Sequence, residues 1–436
     1  MKKISKILWV LIVLSMAVSA CQVQDITPPP VETTETDVAT IEPGETEDVI
    51  VVPTEILPVV DEDGRMYCTI VEPLFSELTE EQKEQLAIFP EVTDEDWTKG
   101  PEDAMLTIIE YTDFFCPYCQ MAFSEFETLM EKYPEDVRLV YRALPLESLH
   151  PTAPLAAYAA EAAGIQGKFW EMYSEIFSNQ TDLSSLTGEE LTEWLMETAE
   201  ELELDTDQFD EDLESEAVVN KISTQTLTMF DNGVSSTPTV LINGRPIGDW
   251  RASYLTNIIE VLKVEKTLPT ECPEFIIDQS KTYTATITTK NGDMVIELYD
   301  DVAPLAVNSF VSLARQGFYD GITFHRVYHD FMAQSGDPTG TGWSGAGYQY
   351  REEISPDLTF DEPYMLGVAK SSVEATSGSQ FFITYVPYPT LNGGYTIFGK
   401  LIDGFDVFAK IAERDADNDP TAAAGDVIIS ISIVEK

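Results

Sequence analysis

The pattern of apolar and polar residues divides the chain into two regions with different periodicities. In the first region, short apolar, β-branched runs over residues 104–111 and 137–144 predict two buried strands. Between them, residues 117–133 place apolar side chains at helical spacing, and the pattern over about 150–227 is helical as well. The order strand, helix, strand, helices predicts an α/β domain with a helical insertion.

The second region is dominated by short strands. Two alternating runs, 283–290 and 293–299, flank an Asn-Gly turn and predict a β-hairpin. An apolar stripe predicts a helix over 304–316. A second helix is predicted near 405–412 and a closing strand over 427–434. Two helices among many strands predict a closed antiparallel β-barrel with two capping helices.

Length and charge limit the classes of function. At about 150 residues per domain, 436 residues predict two or three domains. The content of 44% hydrophobic residues is that of a globular protein with a sizeable core. The chain has 25 Lys and Arg against 77 Asp and Glu, a formal net charge of -52. Such a field repels phosphate backbones, so nucleic acid is excluded as a partner.

The first residues have the pattern of an export signal. Residues 1–20 contain three lysines, then an apolar stretch too short to span a bilayer comfortably, then small residues before Cys21. The sequence Val-Ser-Ala-Cys at 18–21 resembles the lipobox of bacterial lipoproteins. This resemblance implies lipidation of Cys21 and anchoring to a membrane. The alternative is an uncleaved N-terminal helix in which Cys21 has no role.

Residues 21–60 are rich in Pro, Thr and Glu, and predict a disordered acidic tether. Residues 61–100 form a segment that precedes the first domain. The expected location is extracytoplasmic, with a lipid anchor in the cell membrane or outer membrane of a bacterium.

A pair of cysteines lies where the first predicted strand gives way to the helix. The sequence Cys116-Pro117-Tyr118-Cys119 places Cys116 at the helix N-terminus, where unpaired N–H groups stabilise a thiolate. Cys116 is therefore the candidate nucleophile of thiol-disulfide exchange, and Cys119 the resolving thiol of a redox disulfide. An inert structural disulfide or two buried thiols remain as alternatives.

Further motifs join this pair. A helical stretch opens near His150, and Thr237-Pro238 precedes a short strand with an Asn-Gly turn. Together these features resemble the DsbA-like disulfide oxidoreductases of the thioredoxin superfamily, over about residues 101–265. The resemblance implies a thioredoxin-like fold, a cis Pro238 that faces the cysteines, and a Thr237 backbone that binds substrate peptide. Oxidase, reductase and isomerase roles stay open. His150 is interpreted as a helix-boundary or packing residue, with a catalytic base as the alternative.

Two more cysteines, Cys68 and Cys272, flank this domain. They are candidates for a structural disulfide that holds residues 61–100 against the end of the domain, and such a bridge stabilises by about 2–5 kcal/mol. Free thiols, and a zinc site of all four cysteines, are the alternatives. A linker is predicted over 266–279.

Three stretches of the second region, 319–327, 331–342 and 378–383, read YDGITFHRV, FMAQSGDPTGTG and GSQFFI. They resemble the cyclophilins, over about residues 280–436, and imply a peptidyl-prolyl cis-trans isomerase with the barrel described above. The resemblance assigns catalysis to Arg326, Phe331 and Gln334, and substrate binding to Met332, Phe382 and Leu391.

These residue types suit the reaction. Rotation about a peptide bond has a barrier of about 18–20 kcal/mol because the C–N bond is partly double. A guanidinium such as Arg326 lowers the barrier when it hydrogen-bonds the prolyl nitrogen, while Gln334 holds the neighbouring carbonyl. No cofactor and no metal is required. Thr390 and Tyr395 stand where some cyclophilins carry Trp and His, so sensitivity to cyclosporin stays open.

The sequence therefore predicts an extracytoplasmic protein-folding factor with two enzymes on one chain. Its expected partners are unfolded or partly folded exported proteins, a membrane redox partner, and the membrane itself through the lipid anchor. The rival hypothesis is a non-catalytic peptide-binding chaperone or envelope scaffold that uses the same two clefts.

Overall fold

The computed structural model describes residues 59–370, 378–415 and 424–436. The predicted export signal, Cys21 and the tether up to residue 58 lie outside this part of the chain. No helix within the described residues is long and apolar enough to cross a membrane.

The described chain forms two compact units that are interleaved in sequence. The inserted unit is Glu72–Thr267, and the split unit combines residues 59–71 with Leu268–Lys436. Residues 59–71 contain the first strand, β1 (Thr69–Ile70). The inserted unit thus interrupts the sequence of the split unit.

The inserted unit is built on one five-stranded sheet. Its strands are β2 (Trp97–Lys99), β3 (Leu106–Thr112), β4 (Val137–Ala143), β5 (Thr239–Ile242) and β6 (Arg245–Ile247). Their order is β2-β4-β3-β5-β6, in which β3 and β4 are parallel and the other pairs antiparallel. The two strands predicted in the first region are β3 and β4, and they form the centre of the sheet.

Nine helices are described in this unit. They are α1 (Glu80–Leu86), α2 (Pro117–Lys132), α3 (Ala153–Ile165), α4 (Phe169–Ser178), α5 (Gln180–Leu183), α6 (Gly188–Glu201), α7 (Thr206–Leu213), α8 (Glu216–Asp231) and α9 (Ala252–Glu265). Capping boxes at Thr79 and Thr187 begin α1 and α6. Helix α3 is rich in alanine and is buried along most of its length, so neighbouring elements pack closely around it. The predicted helical insertion corresponds to α3 to α8.

The split unit contains most of the strands. They are β7 (Tyr283–Thr289), β8 (Gly292–Leu298), β9 (Arg326–Val327), β10 (Met332–Ser335), β11 (Tyr348–Gln349), β12 (Met365–Val368), β13 (Phe381–Thr384), β14 (Ile397–Asp403), β15 (Arg414–Asp415) and β16 (Ile428–Glu435). Its two α-helices are α10 (Pro304–Arg315) and α11 (Phe405–Phe408). Both belong to the hydrophobic core of the unit.

Nine of these strands form one antiparallel sheet in the order β15-β9-β10-β13-β12-β14-β8-β7-β16. The edge strands β15 and β16 form no ladder with each other in the described chain, and a single bridge, Thr323 to Val427, lies between the segment before β9 and the start of β16. The antiparallel sheet and its two helices are confirmed, but the full barrel closure is not.

Helix α11 is shorter than the predicted helix over 405–412. The N–H groups of Lys410 and Ile411 donate to the carbonyls of Val407 and Phe408, three residues earlier. These bonds close tight turns rather than extending the α-helical pattern.

The segment 59–71 belongs to the split unit. Met66 is completely buried in the core of that unit, and the Met66 N–H donates to the carbonyl of Pro273 at 2.8 Å. Strand β1 pairs antiparallel with β11. Apolar side chains and a strand partner therefore hold this segment in place.

Cys68 and Cys272 form a disulfide, with their Cα atoms 5.7 Å apart. The predicted pairing is confirmed, and it removes the alternatives of free thiols and of a four-cysteine zinc site. The predicted location is wrong, because the bridge joins two segments of the split unit instead of holding 61–100 on the first domain. The predicted linker over 266–279 includes Cys272 and the buried Ile277, and from Leu268 onward it is part of this unit too.

Candidate functional sites

The cysteine pair lies at the start of α2. Cys116 is the N-cap residue, Pro117 occupies the first helical turn, and Cys119 follows one turn later. Both side chains are free thiols and both are buried, Cys119 completely. The backbone N–H of Asp113 lies 3.5 Å from Cys119 Sγ. The sequence placed Cys116 correctly at the helix N-terminus.

A distant loop completes this site. The Thr237–Pro238 peptide bond is cis, as the resemblance implied, and the carbonyl oxygen of Thr237 lies 3.4 Å from Cys116 Sγ. Strand β5 brings this loop into place, because Thr239 pairs with Tyr111 at the end of β3 that leads to the cysteines.

The two thiols differ sharply in acidity. The hydrogen bond from Cys119, supported by the backbone N–H groups of Cys119 and Tyr118, lowers the pKa of Cys116 to about 5. Burial raises the pKa of Cys119 well above its usual value. At neutral pH, Cys116 is therefore a thiolate and Cys119 a thiol, which suits the roles of nucleophile and resolving residue.

Glu110 is a functional candidate that sequence reasoning missed. It is fully buried on β3, its carboxylate accepts a hydrogen bond of 3.2 Å from the Tyr173 hydroxyl, and burial raises the pKa of Glu110 to about 7. Its charge also raises the pKa of Cys119. A glutamate within an otherwise apolar strand was the available signal in the sequence.

Asp113 fixes the loop that carries Cys116. Its carboxylate accepts hydrogen bonds from the N–H groups of Phe115 and Leu146, at 2.8 and 2.7 Å, and lies 2.9 Å from Nδ1 of His150. His150 precedes α3 and is thus held in a structural contact, in keeping with its interpretation as a packing residue. Gln180 of α5 adds a second support, since its side-chain amide donates to the carbonyls of Phe114 and Cys116.

The second site lies on three adjacent strands of the split unit. Gln334 on β10 pairs with Arg326 on β9 and with Phe382 on β13, so the three residues form a row across the sheet. Gln334 is buried, and its Nε2 donates to Oε1 of Gln380 at 2.8 Å. The guanidinium of Arg326 lies over the ring of Tyr328, 5.2 Å from its centroid.

An apolar pocket adjoins this row. Met332 and Phe382 belong to one buried cluster, against which Phe331 and Leu391 pack from the partly exposed side. The ring of Tyr395 meets Phe382 edge-on, with centroids 5.6 Å apart. The structure thus brings all six residues predicted for the isomerase site to one place.

Two residues of this site were not predicted. Gln380 holds Gln334, as described above. His325 precedes Arg326, is 3% exposed, and has no hydrogen-bond partner for either ring nitrogen within the described residues. Burial lowers the pKa of His325 to about 4, so the imidazole is neutral beside the guanidinium at physiological pH.

Each of the two units of this chain is similar to a different set of known proteins. Residues 284–433 match the family model described as cyclophilin type peptidyl-prolyl cis-trans isomerase/CLD. Peptidyl-prolyl cis-trans isomerase A of Mycobacterium tuberculosis is 44% identical over 149 residues, which cover 30% of this chain and 81% of that protein. The chain belongs to the cyclophilin family. The split unit is therefore called the cyclophilin unit below.

Two further known proteins are similar to the cyclophilin unit. Peptidyl-prolyl cis-trans isomerase-like 1 of Rhizopus delemar is 40% identical over 154 residues, or 34% of this chain and 92% of that protein. A crystal structure of a cyclophilin type isomerase from Cryptosporidium parvum aligns with a TM-score of 0.32 and 36% identity, covering 35% of this chain and 98% of that one.

Residues 92–261 match a family model described as thioredoxin. A thioredoxin-like oxidoreductase from Silicibacter pomeroyi aligns with a TM-score of 0.33 and 25% identity, over 42% of this chain and 97% of that one. The inserted unit is a thioredoxin-like domain, and it is called the thioredoxin-like unit below.

Proposed function

We propose that this chain is a folding factor for exported proteins that combines peptidyl-prolyl cis-trans isomerisation with thiol-disulfide exchange. The observation that carries the isomerase activity is the row of Arg326, Gln334 and Phe382 beside an apolar pocket in a member of the cyclophilin family. The exchange activity is supported by the lowered pKa of Cys116 beside the raised pKa of Cys119.

In the isomerase site, the substrate proline ring enters the pocket beside Phe382, and Gln334 holds the neighbouring carbonyl. The Arg326 guanidinium donates a hydrogen bond to the prolyl nitrogen as that atom becomes pyramidal. This bond forms only when conjugation across the peptide bond is lost, so it stabilises the transition state more than the ground state. The neutral His325 adds no second positive charge beside Arg326.

In the thiol site, the Cys116 thiolate attacks one sulfur of a client disulfide, and the other client sulfur leaves as a thiolate. Cys119 then loses its proton and attacks Cys116 Sγ, which releases the reduced client and leaves a Cys116–Cys119 disulfide. The same steps in reverse transfer a disulfide to a client. Glu110, whose pKa of about 7 lies near physiological pH, is the buried carboxylate suited to hold the proton of Cys119.

An isomerisation assay on a short proline-containing peptide tests the first activity. Arg326→Ala is expected to lower kcat/KM by about 10²–10³-fold, the usual loss when a donor to the transition state is removed. Arg315→Ala is the matched control, because Arg315 forms a surface ion pair with Glu435 on the same unit. Equal rates for Arg326→Ala and the wild type would favour a non-catalytic scaffold.

The reduction potential of the Cys116–Cys119 pair tests the second activity. A value near about -120 mV is typical of a disulfide donor, and one near about -270 mV is typical of a reductase. The measurement uses a glutathione buffer, and mass analysis follows Cys68 and Cys272 separately. A pair that never exchanges with glutathione would contradict the redox function.

We propose further that the protein acts outside the cytoplasm on a lipid anchor at Cys21, with a membrane redox partner. The export pattern over residues 1–20 and the acidic tether support this location. Cys21→Ser is expected to shift the protein from the membrane fraction to the soluble fraction. Unchanged fractionation and no incorporation of labelled fatty acid in the wild type would argue against the anchor.

A further inference from the structure

We propose that the segment 59–71, here called the strap, is a positioning element of the isomerase site that depends on the Cys68–Cys272 disulfide. The strap lies outside the residues that match the cyclophilin family model, which begin at 284. The inference rests on the isomerase function proposed above. It states that breaking the disulfide lowers the isomerase rate while the cyclophilin unit remains folded.

The strap is attached to the cyclophilin unit around the disulfide. Besides the buried Met66, Arg65 donates to the carbonyl of Cys272 at 2.9 Å and forms an ion pair of 2.6 Å with Glu271. The ion pair is largely exposed and contributes little in water. The disulfide is therefore the strongest link that keeps the end of the strap in register.

The strap then adds a strand to the cyclophilin unit. Thr69 pairs with Gln349 and Ile70 with Tyr348, and the N–H of Val71 donates to the carbonyl of Gly347 at 2.9 Å. Within the described residues, β1 and β11 form a two-stranded sheet of their own, so β11 has no other strand neighbour. The strap is thus the strand partner that orders β11.

Two contacts connect β11 and the loop before it to the segment that carries Gln380 of the isomerase site. The loop just before β11 supplies the carbonyls of Gly342 and Ser344, which accept hydrogen bonds of 3.0 and 2.6 Å from Nε2 of Gln380. In addition, the backbone of Gly378 packs so closely on the carbonyl of Tyr348 that a Cβ there would lie 2.1 Å from its oxygen. Both contacts fix the position of Gln380.

Gln380 in turn orients the substrate-holding glutamine. Its Oε1 accepts the hydrogen bond of 2.8 Å from Nε2 of Gln334. A Gln380 anchored on two carbonyls can present only its oxygen to Gln334, so the Gln334 amide is held in one orientation. The chain of contacts therefore runs from the disulfide through β1, β11 and Gln380 to Gln334.

The redox step balances with a dithiol reductant. The dithiol transfers two electrons and two protons to the Cys68–Cys272 bond, which breaks into two thiols, and the reductant itself becomes a disulfide. Both cysteines are partly exposed, so an attacking thiolate can reach them. After reduction, only non-covalent contacts hold the strap.

The first test removes the disulfide from the full chain. In the double variant Cys68→Ser, Cys272→Ser, kcat/KM for a proline-containing peptide is expected to fall about 3- to 10-fold. The near-UV circular dichroism of the folded protein is expected to persist. An unchanged kcat/KM would overturn the proposal.

The second test leaves the disulfide intact and removes one strand hydrogen bond. Val71→Pro lacks the N–H that donates to Gly347, whereas Val71→Ala retains it; the Val71 side chain is 46% exposed, so its loss matters little. Val71→Pro is expected to lower kcat/KM and Val71→Ala to leave it unchanged. Equal rates in the two variants would overturn the proposal.

A spectroscopic readout separates positioning from general stability. In ¹⁵N-labelled protein, exchange of the Gln334 side-chain amide protons is expected to accelerate at least 10-fold in the double cysteine variant and in Val71→Pro. Unfolding of the cyclophilin unit in both variants would overturn the proposal, because the strap would then be a stability element. If the wild type itself lacks activity, the proposed function fails; if only Arg326→Ala loses activity, the strap proposal alone fails.

Discussion

At the scale of single residues, Cys116 and Cys119 carry the same side chain, and yet the pKa of Cys116 is lowered while that of Cys119 is raised. Cys116 occupies the N-cap position of a helix, where Cys119 and backbone N–H groups surround its sulfur with donors. Cys119 lies one turn deeper and is completely buried, which disfavours its charged form. The difference in pKa makes Cys116 the residue that attacks a client disulfide and Cys119 the residue that resolves the mixed disulfide.

This arrangement predicts how the pKa of Cys116 responds to substitution of its neighbour. In Cys119→Ala the thiol donor is lost, so the pKa of Cys116 is expected to rise from about 5 toward the ordinary value of about 8.5. Cys119→Ser retains an O–H donor and is expected to raise it less. The pH dependence of iodoacetamide alkylation of the reduced protein measures both, and an equal rise in the two variants would contradict the hydrogen-bond explanation.

Glu110 predicts a pH dependence of stability. Its carboxyl ionises above about 4.5 in the unfolded chain but only above about 7 in the folded protein, so the folded state holds an extra proton between these values. The free energy of unfolding should therefore fall as the pH rises from 4.5 to 7. Glu110→Gln is expected to remove this fall and to stabilise the protein at pH 8 by on the order of 3 kcal/mol.

Urea unfolding of the reduced protein at pH 5 and pH 8 measures the effect. Glu161→Gln is the control, because Glu161 is also buried but forms an ion pair of 2.8 Å with Lys221. This control is expected to lose stability at both pH values. A Glu110→Gln protein that is less stable than the wild type at pH 8 would contradict the prediction.

The sequence predicted site residues where a local motif carries them. Cys116, Arg326 and Gln334 all lie in short diagnostic stretches. Glu110 and Gln380 were missed because their roles arise from contacts with residues far away in sequence. Glu110 meets Tyr173 of α4, and Gln380 meets Gln334 and the loop before β11. Motif spacing along the chain does not record such contacts.

At the scale of elements, the thioredoxin-like unit depends on a close contact between β2 and α3. Trp97 on β2 stacks on Phe169 with ring centroids 4.7 Å apart, and its indole covers Gly164 of α3. A Cβ at Gly164 would lie 2.3 Å from the Trp97 ring. The absence of a side chain at residue 164 is what allows the strand to pack on the helix.

Gly164→Ala is therefore expected to destabilise the unit by about 1–3 kcal/mol, the usual cost of overpacking. Gly188→Ala is the matched control, because nothing lies within 4 Å of a Cβ at this helical position. The control is expected to stabilise by about 0.4–1 kcal/mol. Urea unfolding of the two variants measures both changes in the free energy of unfolding. A Gly164→Ala protein as stable as the wild type would show that Trp97 moves away without cost.

Elements with strong periodicity were predicted within one or two residues, as for β4, the β7–β8 hairpin and α10. Strand β1 was not predicted, because two residues carry no period and their strand partner lies almost 280 positions away in the sequence. Helix α11 was predicted too long, because apolar spacing does not show where hydrogen bonds tighten into turns.

At the scale of the whole molecule, the sequence predicted both domain types but not their interleaving. The positions of Cys68 and Cys272 made them candidates for a disulfide, which the structure confirms. The bridge was assigned to the wrong domain, because both cysteines lie next to the boundaries of the thioredoxin-like unit in sequence. Burial of Met66 decides that question, and burial is a property of the folded core.

The disulfide predicts an unequal loss of stability. It spans 204 residues, and its removal in Cys68→Ser, Cys272→Ser is expected to destabilise the cyclophilin unit by about 2–5 kcal/mol. The thioredoxin-like unit contains neither cysteine and should be little affected. Hydrogen-deuterium exchange measured separately over each unit tests this, and an equal loss of protection in both units would contradict it.

The interleaved units also have a consequence for the export proposed above. Beyond Cys21, the cysteines of an exported chain would leave the membrane in the order Cys68, Cys116, Cys119, Cys272, whereas the bridge joins the first to the last. An oxidant that joins cysteines as they emerge would link Cys68 to Cys116 and block the nucleophile. For correct maturation of an exported chain, Cys68 would have to stay a reduced thiol until Cys272 has emerged from the membrane. Otherwise the wrong bridge would have to be exchanged afterwards.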